Sequence, residues 1–418
     1  MNILRNIAFG VAMVVAQAAL AQELPNAEPA SIGLSAERLD AVDAALQQRI
    51  DAGDFPGAVV MVARHGRVGH FSALGARSMG GAPMTKDTIF RIYSMTKPIT
   101  SVVALQLVEE GKLDLSAPLH RYLPEFKDMT VATGRATDGT VETEPTKRAI
   151  TVLDLMRHTA GLTYGFFGTG PARELLKEKN PGDGTYTNRE LAEILGTLPL
   201  EHQPGTAWEY SRATDVLGAV IEVLDGRSLG EAMKARIFEP LGMIHTGFFI
   251  PEAKDYPLIA EPKDDDRMIG NIAVFDPREA RKFETGGGGL VSTASDYARF
   301  MQMLMNKGEL DGVRILSPMT IDYMLTDQLG PIGPGKYYLP GDGYGFGLGV
   351  AVRTRQGTSP LMGNAGDFFW GGAAGTYMAG DPREDMFMIY MVQSPKNATA
   401  LRGTIRNMIY SAIEDRDE

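Results

Sequence analysis

The chain has 418 residues, of which 44% are hydrophobic and 22% charged, and its 41 Lys+Arg against 52 Asp+Glu give a net charge of −11. This composition excludes a disordered or collagen-like chain, and a net negative chain without a long Lys/Arg block offers no electrostatic footprint to nucleic acid or an anionic membrane. Cysteine is absent, which removes disulfides, cysteine nucleophiles and thiolate metal sites and leaves stability to packing over two or three structural units.

Residues 1–21 read as a secretory signal: Arg5 lies in a short positive start, Ile7 to Leu20 form an apolar run, and Ala19-Leu20-Ala21 ends it before Gln22. The run is shorter than the ~20 residues a membrane span needs. The expectation is a periplasmic or secreted protein, cleaved after Ala21, with no membrane span left.

Leu39 to Ile50 has helical spacing, and Ala58–Ala63 and Val68–Leu74 read as strands around a His65-Gly66-Arg67 turn. Ser94 to Glu110 reads as a buried helix ended by Gly111, with Pro98 tolerated in its first turn. Helical segments follow at Thr151–His158, Asn188–Thr197, Ala213–Leu224, Leu229–Phe238 and Thr293–Asn306, the last with a capping-box spacing at Thr293 and Asp296. After a Gly/Pro/Tyr loop at 330–345, strands are expected at Gly347–Arg353, Gly375–Ala379 and Met386–Val392, then a closing helix at Leu401–Ile413. Strands cluster at both chain ends. The expected fold is therefore α+β: an antiparallel sheet from 22–112 and 309–418 flanked by helices, with a mainly helical segment, 113–308, inserted.

Ser94 is the serine with a lysine three residues on, Lys97. On a helix these share a face. In a first turn the backbone N–H groups and the helix dipole favour developing negative charge, and an apolar, positive helix start favours an uncharged lysine that can take the serine proton. The context reads Phe90-Arg91-Ile92-Tyr93-Ser94-Met95-Thr96-Lys97-Pro98, then Leu113-Asp114-Leu115, Tyr122-Leu123-Pro124, Leu155 to Leu162, Pro204-Gly205 with Tyr210-Ser211, Glu239 to Met243, and Gly286 to Ser292. With these segments the chain resembles, over about residues 30 to 415, the serine β-lactamase-related hydrolases: class C β-lactamases, penicillin-binding DD-peptidases and, nearest, family VIII carboxylesterases.

The resemblance implies that Ser94 is the nucleophile, Lys97 its general base, and Tyr210 the tyrosine that opens a Tyr-x-Asn motif and helps move the proton. Here the motif reads Tyr210-Ser211-Arg212, so Arg212 stands where the family contacts a β-lactam side chain. No Lys-Thr-Gly occurs, and Trp370-Gly371-Gly372 is its counterpart, as in family VIII esterases. Paired glycines let a strand approach a ligand closely, so the N–H of Ala373 joins that of Ser94 as the expected oxyanion hole. Loss of the cationic lysine removes an anchor for the penicillin carboxylate and favours neutral apolar esters.

Gly226-Arg227-Ser228-Leu229-Gly230 matches a nucleophile elbow, but it follows a helical pattern instead of a strand, and only His245 comes after it. It reads as a turn between helices. His158 reads as a polar residue closing a helix before a Gly turn. The histidine spacing suggests no zinc site and Gly286 to Gly289 no phosphate loop. Asp264-Asp265-Asp266 reads as a solvated loop, and no cofactor is expected. Two aromatic loops, Tyr164 to Gly168 within 163–184 and Tyr337 to Phe346 after 330, can line an apolar acyl pocket. The expected activity is cleavage of small-molecule carboxylic esters of short to medium acyl chain through an acyl-enzyme. Alternatives of the same chemistry are a cephalosporin-type β-lactamase or a D-amino-acid peptidase acting on amides. A non-catalytic binding protein is the reading from another class, and the oligomeric state is left open.

Overall fold

A computed structural model describes residues 23–179, 184–270 and 272–415; the expected signal, 1–21, lies outside the described residues. Helix α1 (Ala36–Asp51) leads into the hairpin β1 (Gly57–Arg64) and β2 (Arg67–Gly75). His65 and Gly66 both take positive φ, 53° and 70°, the two-residue turn whose twist matches that of the flanking strands. Helix α2 (Thr96–Glu109), α3 (Ala213–Asp225) and α4 (Ala294–Met305) follow, and the chain returns through β3 (Tyr344–Phe346), β4 (Ala351–Arg353), β5 (Phe368–Gly371), β6 (Tyr377–Asp381) and β7 (Met386–Val392) to α5 (Arg402–Ser411).

The seven strands form one sheet in the order β3-β4-β5-β6-β7-β1-β2 among the described residues, antiparallel throughout. The two chain ends meet inside it, where β1 pairs with β7 from Ala58↔Val392 to Arg64↔Met386. Both strands are apolar runs without polar alternation and buried at every residue, because each face of the sheet is covered. On one face Ala58, Val60 and Val62 meet Leu39, Val42 and Leu46 of α1 and Ile405 and Ile409 of α5. On the other, Val59, Met61 and Ala63 join the main core, which runs through α2, α3 and α4.

The two strand pairs at the chain ends and the long helices lie where the periodicity places them. Other short features differ, among them the expected strand Gly347–Arg353, which turns between strands up to Val350 and is a strand only from Ala351. The segment 113–308 also contains a hairpin, Thr130–Arg135 with Val141–Pro145, whose strands are largely exposed and carry little hydrophobic signal. The expected loop 330–345 ends in β3, and β5 arises from the short run Phe368-Phe369-Trp370-Gly371. The capping box at α4 is half made: Thr293 Oγ1 accepts from the N–H of Asp296, but the Asp296 carboxylate turns to His245 N–H and Thr246 Oγ1. Burial pushes that carboxyl up to about 6. No helix among the described residues is long and apolar enough to cross a membrane.

Candidate active site

A two-residue strand, Phe90–Arg91, pairs with Val291–Ser292 and leads into a single 3₁₀ turn, Tyr93–Met95, at the start of α2. Tyr93 has φ 43°, a left-handed conformation that costs a bulky residue energy and persists only where the surroundings impose it. Ile92 N–H donates to Leu290 O, Met95 N–H to Ile92 O and Tyr297 OH to Met95 O, at 3.0, 3.1 and 2.9 Å. The serine after this bend is thereby held at the mouth of a helix whose body, from Thr96 to Leu105, is buried.

Lys97 lies one turn on, fully buried. Its Nζ is 3.2 Å from Ser94 Oγ, 3.3 Å from Tyr164 OH and 2.6 Å from the carbonyl of Gly287. Tyr210 OH reaches the same Ser94 Oγ at 2.6 Å, and its ring lies 4.5 Å under Lys97 Nζ. Ser94, Lys97 and Tyr210, separated by up to 116 positions in the chain, thus converge on one oxygen. Two basic or proton-relaying groups on a single hydroxyl are what an activated oxygen nucleophile needs.

Tyr164, Gly287 and Asp215 were not singled out as partners of Lys97 in the sequence. Gly287 N–H donates to Asp215 Oδ1 at 2.9 Å while its carbonyl receives Lys97. Thr285 Oγ1 donates to the same carboxylate, and Thr100 Oγ1 holds the carbonyl of Gly286 at 2.7 Å. A Cβ on Gly286 would stand 2.7 Å from Thr214 O, and one on Gly287 3.0 Å from Asp215 Oδ1. The glycine run is therefore close backbone packing, and it also supplies the lysine's acceptor. Arg212 does not stand free: its Nη1 is 3.2 Å from Asp215 Oδ2 and its guanidinium stacks 5.1 Å over Tyr164. Burial pushes the Tyr164 hydroxyl well above its ordinary value, with Tyr210 and Asp215 adding and Arg212 opposing, so it remains a neutral phenol.

Strand β5 packs directly on the Tyr93–Met95 turn. Beyond it Gly372 to Gly375 make a tight turn closed by Gly375 N–H on Gly372 O at 3.0 Å. A Cβ on Gly372 would fall 2.4 Å from the carbonyl of Ile92, which Thr376 Oγ1 also reaches at 3.2 Å. The turn thus rests against the residues just before Ser94, and only glycine permits that approach. Neither Ser94 N–H nor Ala373 N–H is taken up by another backbone group among the described residues.

Tyr210 sits in a cluster of rings: Trp208 stacked at 6.1 Å, Tyr164 at 5.2 Å, Trp370 at 5.5 Å and Phe167 at 6.1 Å. His158 belongs to it as well, 5.0 Å from Tyr210 with Nδ1 3.3 Å from Ser211 Oγ. Burial, with Lys97 adding, pulls its imidazole well below the ordinary value, so it packs as a neutral ring. The aromatic loops meet here too, Phe167 stacking on Tyr337 at 6.2 Å. Ser228 lies elsewhere, capping the helix Leu229–Met233 with Oγ on Glu231 N–H.

The beta-lactamase family model matches residues 42–411, and the chain belongs to that family. Protein Rv1367c of Mycobacterium tuberculosis is 38% identical over 369 residues, covering 85% of this chain and 90% of its own. Esterase EstB of Burkholderia gladioli is 35% identical over 362 residues, covering 81% and 86%. Among solved structures, EstCE1, described as a hydrolase with promiscuous acyltransferase activity, superposes with a TM-score of 0.71 at 27% identity, covering 91% of this chain and 98% of its own. The protein is a β-lactamase-related serine hydrolase, close to the esterases of that group.

Proposed function

We propose that the protein is an exported carboxylesterase acting on small-molecule esters of short to medium acyl chain, with Ser94 as nucleophile and Lys97 with Tyr210 as its general base. The observation that carries this reading is the meeting of Lys97 Nζ and Tyr210 OH on Ser94 Oγ, at 3.2 and 2.6 Å. Ser94 Oγ attacks the ester carbonyl carbon, and its proton passes to the Lys97/Tyr210 pair. The carbonyl oxygen, now negative, is received by the N–H groups of Ser94 and Ala373. The pair returns the proton to the leaving alkoxide, then takes one from the water that splits the acyl-enzyme.

The site draws on three stretches: Ser94 from 22–112, Tyr210 from 113–308 and Trp370 from 309–418. This supports a sheet unit built from both chain ends facing an inserted, mainly helical one, with the substrate between them. The rings of Trp208, Phe167 and Trp370 around Tyr210 favour an apolar acyl group. With Trp370-Gly371-Gly372 in place of Lys-Thr-Gly, a carboxylate-bearing β-lactam lacks its cationic anchor. Steady-state hydrolysis of p-nitrophenyl acetate, butyrate and octanoate beside nitrocefin tests the reading. Ester turnover lost in Ser94→Ala, with slow nitrocefin turnover, is expected. Full turnover in Ser94→Ala would overturn the nucleophile, and fast nitrocefin turnover would make the protein a β-lactamase. Export is checked by a mature protein that begins at Gln22.

A further inference from the structure

The peptide between Gly372 and Ala373 has two ends. Its N–H is the oxyanion donor proposed above, and its carbonyl receives two donors from the protein. Arg402, the first residue of α5, donates Nη2 to the carbonyl of Gly372, and the same nitrogen donates to Thr376 O at 3.0 Å. Gly375 N–H adds a second donor to Gly372 O. Gly371 leaves the room this needs: a Cβ there would stand 2.6 Å from the Arg402 Cζ. The two glycines of Trp370-Gly371-Gly372 therefore have separate tasks, Gly371 admitting Arg402 and Gly372 admitting Ile92.

No carboxylate lies within ion-pair distance of Arg402 among the described residues, and its Nε is buried without a partner. Burial pulls its guanidinium down to about 10, with the hydroxyls of Tyr377, Tyr390 and Tyr210 opposing, so it is positive at neutral pH. A cation that is not neutralised by a carboxylate and is seated on a peptide carbonyl acts on the whole peptide group. In a planar trans peptide C=O and N–H point in opposite directions, so the N–H of Ala373 faces away from Arg402. Drawing electrons toward the oxygen makes that N–H a stronger donor, and neighbouring hydrogen bonds reinforce one another in a low-dielectric interior.

We propose that Arg402 is a positioning residue of the oxyanion hole: bound to the Gly372 carbonyl, it orients and polarises the peptide whose Ala373 N–H receives the negative oxygen. This rests on the Ser94 esterase reading. It predicts an effect on the transition state and not on substrate binding, since the charge on the carbonyl oxygen develops only as Ser94 Oγ adds.

The test compares Arg402→Lys, Arg402→Gln and Arg402→Met with the wild type. Active sites are counted with a fluorophosphonate, kcat and KM are measured on p-nitrophenyl butyrate, and affinity is measured for an alkylboronic acid that forms a tetrahedral anion on a serine. The expected order of kcat is wild type, Lys, then Gln and Met, the last about tenfold down, below the ~10²–10³ that follows removal of a donor outright. KM stays nearly constant and boronate affinity falls by the same factor as kcat/KM. Gly371→Ala, which displaces Arg402, lowers kcat in the wild type and adds nothing to Arg402→Met. Should Arg402→Met fail to fold, Arg402→Gln and Gly371→Ala carry the same comparison. A kcat per titrated site within twofold of wild type for Arg402→Gln, with boronate affinity unchanged, overturns the proposal even if the melting temperature falls. A wild type that no fluorophosphonate titrates, or a Ser94→Ala variant that still turns over ester, instead sinks the Ser94 reading and leaves Arg402 without a task.

Discussion

Buried basic side chains in two regions of the molecule have different company. Arg353 and Arg406 share the carboxylate of Asp367, with contacts of 2.6 and 2.7 Å, and Tyr344 OH completes the set. Lys97 meets oxygens of Ser94, Tyr164 and Gly287 and, among the described residues, no carboxylate. The first arrangement seats both guanidinium groups on one shared carboxylate, buried in the fold. The second seats a nitrogen 3.2 Å from the Ser94 hydroxyl among neutral oxygens. Burial of a basic side chain thus takes two forms here, one seated on a shared carboxylate and one seated on neutral oxygens.

The comparison breaks first at the serine. Ser94→Ala is expected to lower ester turnover on the order of 10⁶-fold, as removal of a serine nucleophile does, with an unchanged melting temperature. Lys97→Met and Tyr210→Phe should each cost ~10²–10⁴ in kcat, the range of a lost proton-transfer group; pre-steady-state release of p-nitrophenol would locate the loss in acylation. Asp367→Asn should do the reverse. With two guanidinium groups left without their carboxylate, it should cost about 3–5 kcal/mol of stability in urea unfolding, while kcat per folded molecule stays near wild type.

Asp154 sharpens the same contrast through pH. Burial alone would raise its carboxyl, but contacts from Arg148, Thr151 and Thr159 outweigh burial and hold it down at about 2, against 3.8 for the free side chain. Its folded pKa is depressed, so its contribution is complete above about 3.8 and is lost as pH falls through about 2. The difference corresponds to about 2 kcal/mol. Acid unfolding followed by circular dichroism should show that loss in the wild type and not in Asp154→Asn. The smallest expected effect is that of Asp215→Asn, which weakens the hold on the Gly287 N–H and should lower kcat about tenfold, with little change in KM.

Much of this was legible in the residues because it is local or periodic. Ser94 and Lys97 share one helical turn, the β1 and β7 runs are apolar throughout, and the Tyr210 segment and the paired glycines after Trp370 stand out as short patterns. What escaped depends on contacts between distant segments. Asp215 is 72 residues from Gly287 and Tyr164 is 67 from Lys97, and no spacing signals such pairs. Arg212 shows the same limit. As a substitution in a motif it marked only a place where the family contacts a β-lactam side chain, whereas in the fold Asp215 and the Tyr164 ring engage it. His158 was read from its place at a helix end, and its packing against Tyr210 follows only from the fold.

The central claim, that Ser94 is the oxygen made reactive by Lys97 and Tyr210, is tested most directly by reacting the full chain with a fluorophosphonate and mapping the adduct by peptide mass spectrometry. The account predicts one adduct, on the peptide carrying Ser94, absent in Ser94→Ala and slowed in Lys97→Met. An adduct on Ser228, or ester turnover that survives with Ser94 unlabelled, would contradict it.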